Sequence, residues 1–330
     1  MQINPNMVFR KLSFLALAAC ILTACQPTRP EASLGAATTV KPVLQDTAGW
    51  KIDTLSTGFI RYNYTRYYEP YTSAQIVNVL EVDLASGRYD LVLDNVFPED
   101  SLSSVAEAHQ PALAAVNGTY YELVENGQSS SFFKADNEIK TSVTLPTEHK
   151  LFWKHEGAFY YDGAKKQMGI AYGDNASYTQ MPYANIISGS PMLIYEYKPV
   201  GETFAKSEDK PLEQLDYEHP DRHQGVRHPR TAIATVGKNR VLLITVDGRH
   251  AGQSAGMSAK ELTQFIQKYF NPAYALNLDG GGSTTMWIRG EGVINYPTDN
   301  KRFDHYGQRR IRNYIMVTEK SANAASETEK

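Results

Sequence analysis

The sequence predicts an α+β fold, a single strand-rich domain of mixed sheets with a few packed helices. Three observations lead there. Short β-branched or alternating segments recur along most of the chain, one stretch alone shows a strong capped helical period, and no internal repeat is present. Residues 75–84 and 89–94 alternate, with Ser86-Gly87 between them, and read as a hairpin. Segment 101–109 reads as a short helix, and 112–116 as a buried strand running into Asn117-Gly118. Strands are expected at 151–154, 158–161, 186–187, 192–195, 231–236 and 241–246. The clear helix, 259–269, opens on Ser258 with Glu261 as its capping-box partner and sets Leu262, Phe265, Ile266 and Tyr269 on one face. Asn271-Pro272 stops it. Strands resume at 273–278, 286–288 and 311–318. The polar, charged stretch 196–228 reads as a long insertion, either a lid or decoration.

Arg10-Lys11 precede an apolar run, 12–24, shaped like a secretory signal and too short to span a bilayer. Leu22-Thr23-Ala24-Cys25 resembles a bacterial lipobox. Cys25 is favoured for lipidation over Cys20, because the polar stretch begins only after Cys25. The expected organisation is a signal peptide at 1–24, a disordered tether at 25–50, one domain at 51–318 and a polar tail at 319–330. Gln26 after the lipid-bearing cysteine is compatible with an outer-membrane lipoprotein facing the periplasm or the cell surface. Both cysteines lie in the leader, so the domain holds neither disulfide nor cysteine metal site. A net charge of −3 offers no long-range attraction for nucleic acid. The 21 tyrosines, each a flat apolar face with a polar tip, suit contact with carbohydrate.

The most informative run is Asn277-Leu278-Asp279-Gly280-Gly281-Gly282-Ser283-Thr284-Thr285. An apolar segment delivers one acid to a loop of three glycines, whose bare backbone can turn sharply and present N–H groups to an anion. A flexible linker or a tight structural turn are the plain alternatives, but linkers do not sit between apolar strands. Asp247-Gly248-Arg249-His250 repeats the theme of an acid and a glycine at a strand end, now with a guanidinium suited to bidentate phosphate binding. Arg230 opens another apolar strand, behind a loop histidine, His228, that reads as solvated. Asn117-Gly118 is first a turn signal. Neither a His-Glu-x-x-His pair nor a Walker loop is present.

In this order, Asn117-Gly118, Ser188-Gly189-Ser190-Pro191, Arg230-Thr231-Ala232, Asp247-Gly248-Arg249 and the run from Asn277 to Thr284 resemble the phosphodiester glycosidase family. The resemblance covers about 112–317, including Asn295-Tyr296-Pro297 and Arg312-Asn313-Tyr314, and leaves 196–224 peculiar to this chain. It implies a hydrolase that removes a sugar from a sugar-1-phosphodiester. On that basis the amides of Gly280, Gly281 and Gly282, with Arg230 and Arg249, hold the phosphate. Ser283 and Thr284 add hydroxyls, and Asn117 fixes the sugar. Asp279 and Asp247 serve the anomeric carbon, one as nucleophile or base and the other as orienter. A divalent cation on Asp279 or Asp247 is compatible with the carboxylate chemistry. The expected partner is a phosphate-containing glycan. The competing reading is a non-catalytic envelope protein that binds phosphate-containing polysaccharide.

Overall fold

The computed structural model describes residues 42–121, 129–203 and 211–320. The signal segment, Cys25, most of the tether and residues 321–330 of the tail lie outside the described residues.

Three sheets organise the described residues. The largest has the spatial order Trp50–Ser56, Phe59–Tyr68, Ser73–Asp83, Arg240–Val246, Arg230–Val236, Tyr274–Asn277, Met192–Tyr195. The second runs Gly292–Val293, Met286–Ile288, Ala112–Asn117, Ile311–Glu319, Tyr89–Asp100. The third runs Glu138–Thr141, Phe133–Ala135, Asn185–Gly189, Gly157–Asp162, Gln167–Tyr172. The period-2 direction of strand side chains explains how the large sheet is covered on both faces. In Ser73–Asp83, Leu80 and Val82 enter a core shared with Leu91, Val116, Phe159 and Ile315 of the other two sheets. Val77 and Val79 point the other way, onto Phe265, Ile266 and Tyr269 of the helix Ala259–Phe270. That helix keeps its expected capping box, with Glu261 N–H donating to Ser258 Oγ and Ser258 N–H to Glu261 Oε2. Its five large buried side chains each contribute about 1.5–3 kcal/mol of burial. The helix Leu102–Ala108 covers the outer face of the second sheet.

The α+β class stands, and the ladders among the described residues are antiparallel where mixed sheets are expected. Two other expectations change. Segments 75–84 and 89–94 are not a hairpin: Ser73–Asp83 pairs with Phe59–Tyr68 and Arg240–Val246, whereas Tyr89–Asp100 pairs with Ile311–Glu319. The 3-10 turn Leu84–Ser86 carries the chain from one sheet to the next, so that Leu91 and Leu93 face Leu80 and Val82 across the core. Segment 151–154 is not a strand but the start of the 3-10 helix Phe152–His155, closed by bonds such as Lys154 N–H to Leu151 O. So short an apolar run cannot reveal its period. The end of the tether is also docked: Gln45 N–H donates to Tyr269 O, Val43 N–H to Glu81 Oε2, and Val43 and Leu44 pack on the helix side of the large sheet.

Candidate active site

Strand register gathers the candidate residues. Arg230 pairs with Val246, so the start of one strand lies beside the end of the next and beside Asp247. Ala232 pairs with Asn277, which brings Leu278 and Asp279 to the same edge. Asp279 N–H donates to Gly118 O and ties the end of Ala112–Asn117, from the second sheet, to that edge.

There a cavity of about 60 Å³ is lined by Asp279, the three glycines, Arg230, Arg249, Arg309, Lys154, His223, His228, Tyr120, Tyr217 and Glu218. Its volume suits a group of about four oxygen-sized atoms. Two glycines have physical reasons to be there. A Cβ on Gly280 would lie 2.6 Å from Pro229 O, so only hydrogen allows the loop to approach that backbone. Gly281 has φ +61° and directs its own N–H to Pro229 O at 2.8 Å. This corrects the amide-cradle expectation: the Gly281 N–H is taken by the protein. The Ser283 and Thr284 N–H groups close the local turn onto Gly280 O and Gly281 O. The Ser283 and Thr284 side chains are fully buried and are not part of the cavity lining.

Asn117 and Asp247 also depart from their expected roles. Asn117 is buried with both ends of its amide occupied. Its Oδ1 accepts from Thr231 Oγ1 and Thr285 N–H, and its Nδ2 donates to Asp279 O and Gly118 O. It clamps the acid-bearing loop and has nothing left for a sugar. Asp247 is sealed behind the cavity, not on its lining. Its Oδ1 accepts from Asn295 Nδ2 at 3.0 Å and from Tyr296 N–H at 2.9 Å, while Oδ2 has no hydrogen-bond partner among the described residues. Desolvation pushes its carboxyl up to about 7, against the pull of those two donors. Asp279 alone of the two acids reaches the cavity.

Arg230 and Arg249 do meet there. Arg230 is 1% exposed, and its guanidinium donates to the carbonyls of Met257, His223 and Val226. Its Nη1 is buried without a hydrogen-bond partner among the described residues. Burial lowers its pKa to about 10, so it stays charged near neutrality. Arg249 donates to Tyr217 Oη at 3.1 Å and lies 3.5 Å from His228 Nδ1. Neither arginine pairs with a carboxylate among the described residues. Lys154, by contrast, pairs with Glu218 at 2.8 Å, and Arg309 with Asp299 at 2.7 Å. His228, expected to be solvated, is half-buried on the cavity lining beside His223. Desolvation, then the neighbouring guanidiniums, hold His228 at about 3. Desolvation, then Arg230, hold His223 well below its ordinary range.

Sequence reading missed Arg309, Lys154, Tyr217, Glu218 and His223, all of which line the cavity. Three of them lie in the 196–228 stretch, whose short helix Pro220–Gly225 and preceding residues form a wall of the site rather than decoration. A nucleophile elbow, set aside on sequence as absent, is in fact spelled by Gly252-Gln253-Ser254-Ala255-Gly256. Ser254 is no nucleophile here: it is fully buried, donates to Asp247 O at 2.6 Å and accepts from Ile76 N–H. The donor set does not fit a divalent cation. Asp247 and Asp279 do not share the cavity, no trio of His, Cys, Asp or Glu among the described residues is arranged for a metal, and four cationic side chains line the space around Asp279.

The chain belongs to the phosphodiester glycosidase family, whose pattern matches residues 110–318. Two mammalian relatives share the printed name N-acetylglucosamine-1-phosphodiester alpha-N-acetylglucosaminidase. The Bos taurus protein is 28% identical over 143 residues, 43% of this chain and 26% of that one. The Homo sapiens protein is 29% identical over 123 residues, 37% of this chain and 22% of that one. The matched segments thus span about a quarter of these relatives' own length. The fold is shared with the zebrafish catalytic domain of the same name, solved auto-inhibited by its pro-peptide (TM-score 0.58, 18% identity, 86% of this chain and 92% of that one). It is shared equally with a hypothetical protein from Synechocystis (TM-score 0.58, 14% identity, 82% and 64%).

Proposed function

We propose that this chain hydrolyses a sugar-1-phosphodiester, breaking the bond between the anomeric carbon and the phosphate oxygen. One observation carries the reading. Arg230, buried, and Arg249, neither paired with a carboxylate among the described residues, line a small cavity together with Asp279, while the other acid of that lining, Glu218, is paired with Lys154. A buried guanidinium satisfied only in part by carbonyls is a poor arrangement unless an anion completes it. A phosphodiester does so, and its sugar then lies against Asp279.

The chemistry balances with water as the one co-reactant. The C–O bond breaks, the electron pair stays on the phosphate, and the arginines stabilise the phosphomonoester that leaves. Asp279 acts as nucleophile, or as the base that takes a proton from water; the water oxygen ends on the sugar. Phosphate is already a good leaving group, so no strong general acid is required. The family membership and the mammalian relatives' printed name support the same bond class. We place the substrate among cell-envelope or exogenous phosphoglycans, and the protein on the outer membrane through a lipid at Cys25, in keeping with the leader pattern.

The test is turnover of a panel of sugar-1-phosphodiesters by the full-length chain in oxygen-18 water. Label in the sugar supports the proposal. Label in the phosphate makes the protein a phosphodiesterase, and binding without product makes it a polysaccharide-binding envelope protein; either overturns it. Palmitate labelling lost in Cys25→Ser supports the anchor, and labelling that persists overturns it.

A further inference from the structure

A second, larger concavity lies against the same wall. About 690 Å³ in volume, it shares Trp153 and the helix Pro220–Gly225 with the region of the anion cavity. Trp153 lines it while packing 4.9 Å from His223 and 5.8 Å from Tyr120, both in the smaller site. Ser190 lines it as well, and the Ser190 carbonyl accepts from Tyr120 Oη at 2.9 Å and from Asn277 Nδ2 at 2.8 Å.

The two concavities differ in chemistry. Arginines, a lysine and glycines line the small one. Among the described residues neither Lys nor Arg lines the large one; Phe152, Trp153 and Tyr172 supply aromatic surface, and Glu156, Asp174 and Asp221 supply carboxylates. Tyr172 is 42% exposed and continues at 4.9 Å to Tyr195, then at 5.3 Å to Tyr274, as a row of rings leading away from the groove. His155, 4% exposed, lines the groove with a buried Nδ1 that has no hydrogen-bond partner among the described residues. Aromatic faces flanked by carboxylates match the C–H faces and hydroxyls of sugars. Acidic walls repel phosphate. The small cavity, meanwhile, holds little beyond the phosphate itself, so the rest of a polymer must lie elsewhere.

We propose that this groove binds uncharged sugar residues of a glycan chain, so that the substrate is a polymer whose phosphodiester enters the small cavity while neighbouring sugars rest on Tyr172, Trp153 and Phe152. The binding claim stands alone; the claim that the bound glycan is the substrate rests on the function proposed above.

The experiment titrates full-length protein with neutral gluco- and N-acetylglucosamine hexasaccharides, read by tryptophan fluorescence quenching and calorimetry, alongside inorganic phosphate. Tyr172→Ala, at an exposed position, is expected to weaken oligosaccharide binding about tenfold and leave phosphate binding unchanged, with Arg249→Ala doing the reverse. No oligosaccharide binding, or binding indifferent to Tyr172→Ala, overturns the proposal. So does a Tyr172-dependent dimer in sedimentation, which assigns the face to a second copy. If small phosphodiesters are not hydrolysed but hexasaccharide still binds through Tyr172, the catalytic reading fails and the groove survives. If they are hydrolysed, Tyr172→Ala should lower kcat/KM on phosphoglycan polymers only.

Discussion

Asp279 and Asp247 look alike in sequence, each an acid between an apolar strand and a glycine. In space they are opposites. Asp279 is half-buried on the cavity, in the field of Arg309 and Tyr121. Asp247 is sealed, one oxygen bound to Asn295 and Tyr296 and the other without a hydrogen-bond partner among the described residues. The difference teaches that an acid at a strand end has two uses. One lines the cavity; the other holds the loop that shapes it.

The largest effect expected to separate them is Asp279→Asn. It should lower kcat/KM about 10³-fold or more with an unchanged melting temperature, as befits a group acting in the transition state. Near-normal turnover would reverse the assignment. Asn117→Ala comes next and extends the contrast to a buried clamp. Losing four buried bonds should destabilise by about 2–4 kcal/mol in urea unfolding. A stable variant with raised KM would instead return Asn117 to the sugar. Arg249→Ala should lower kcat/KM roughly 10²-fold and weaken inorganic phosphate binding, measured by calorimetry, while leaving stability nearly unchanged because the side chain is exposed.

Asp247→Asn should move kcat/KM less than about tenfold, since the amide oxygen can still accept from Asn295 and Tyr296. Its signature lies in stability against pH. The Asp247 carboxyl releases its proton near 3.8 when unfolded but near 7 in the fold, so stability falls as pH rises through that window and levels off above it. Asp247→Asn should remove that slope. His228 has the opposite sign. It takes up a proton near 6.5 when unfolded but only near 3 in the fold, so stability falls as pH drops through that window. The two windows overlap, so the slopes oppose each other in the parent protein; urea melts at a series of pH values should show His228→Gln exposing the Asp247 slope and Asp247→Asn exposing the His228 slope.

Much of this was legible without coordinates. The capped helix over 259–269 is local chemistry, a serine and a glutamate three residues apart followed by an apolar stripe, and it forms as Ala259–Phe270. The glycine run declares itself because a Cβ at Gly280 has no room beside Pro229 O. Arg309 and Lys154 carried no such mark. A cation among aromatic residues, or one of several neighbouring arginines, looks like any surface residue until strands distant in sequence bring it to a shared cavity. The hairpin over 75–94 failed for a related reason. Alternation reports that a segment is a strand but not which strand it pairs with.

What the amino-acid sequence determined by itself is therefore whatever depends on near neighbours along the chain: the strands, the capped helix, the bare loop and the presence of acids beside it. Tertiary structure decided which acid meets solvent, which asparagine is a clamp and which distant cations line the site. Burial is set by elements far apart in sequence, and burial separates a side chain that can touch a ligand from one already bound to its own fold.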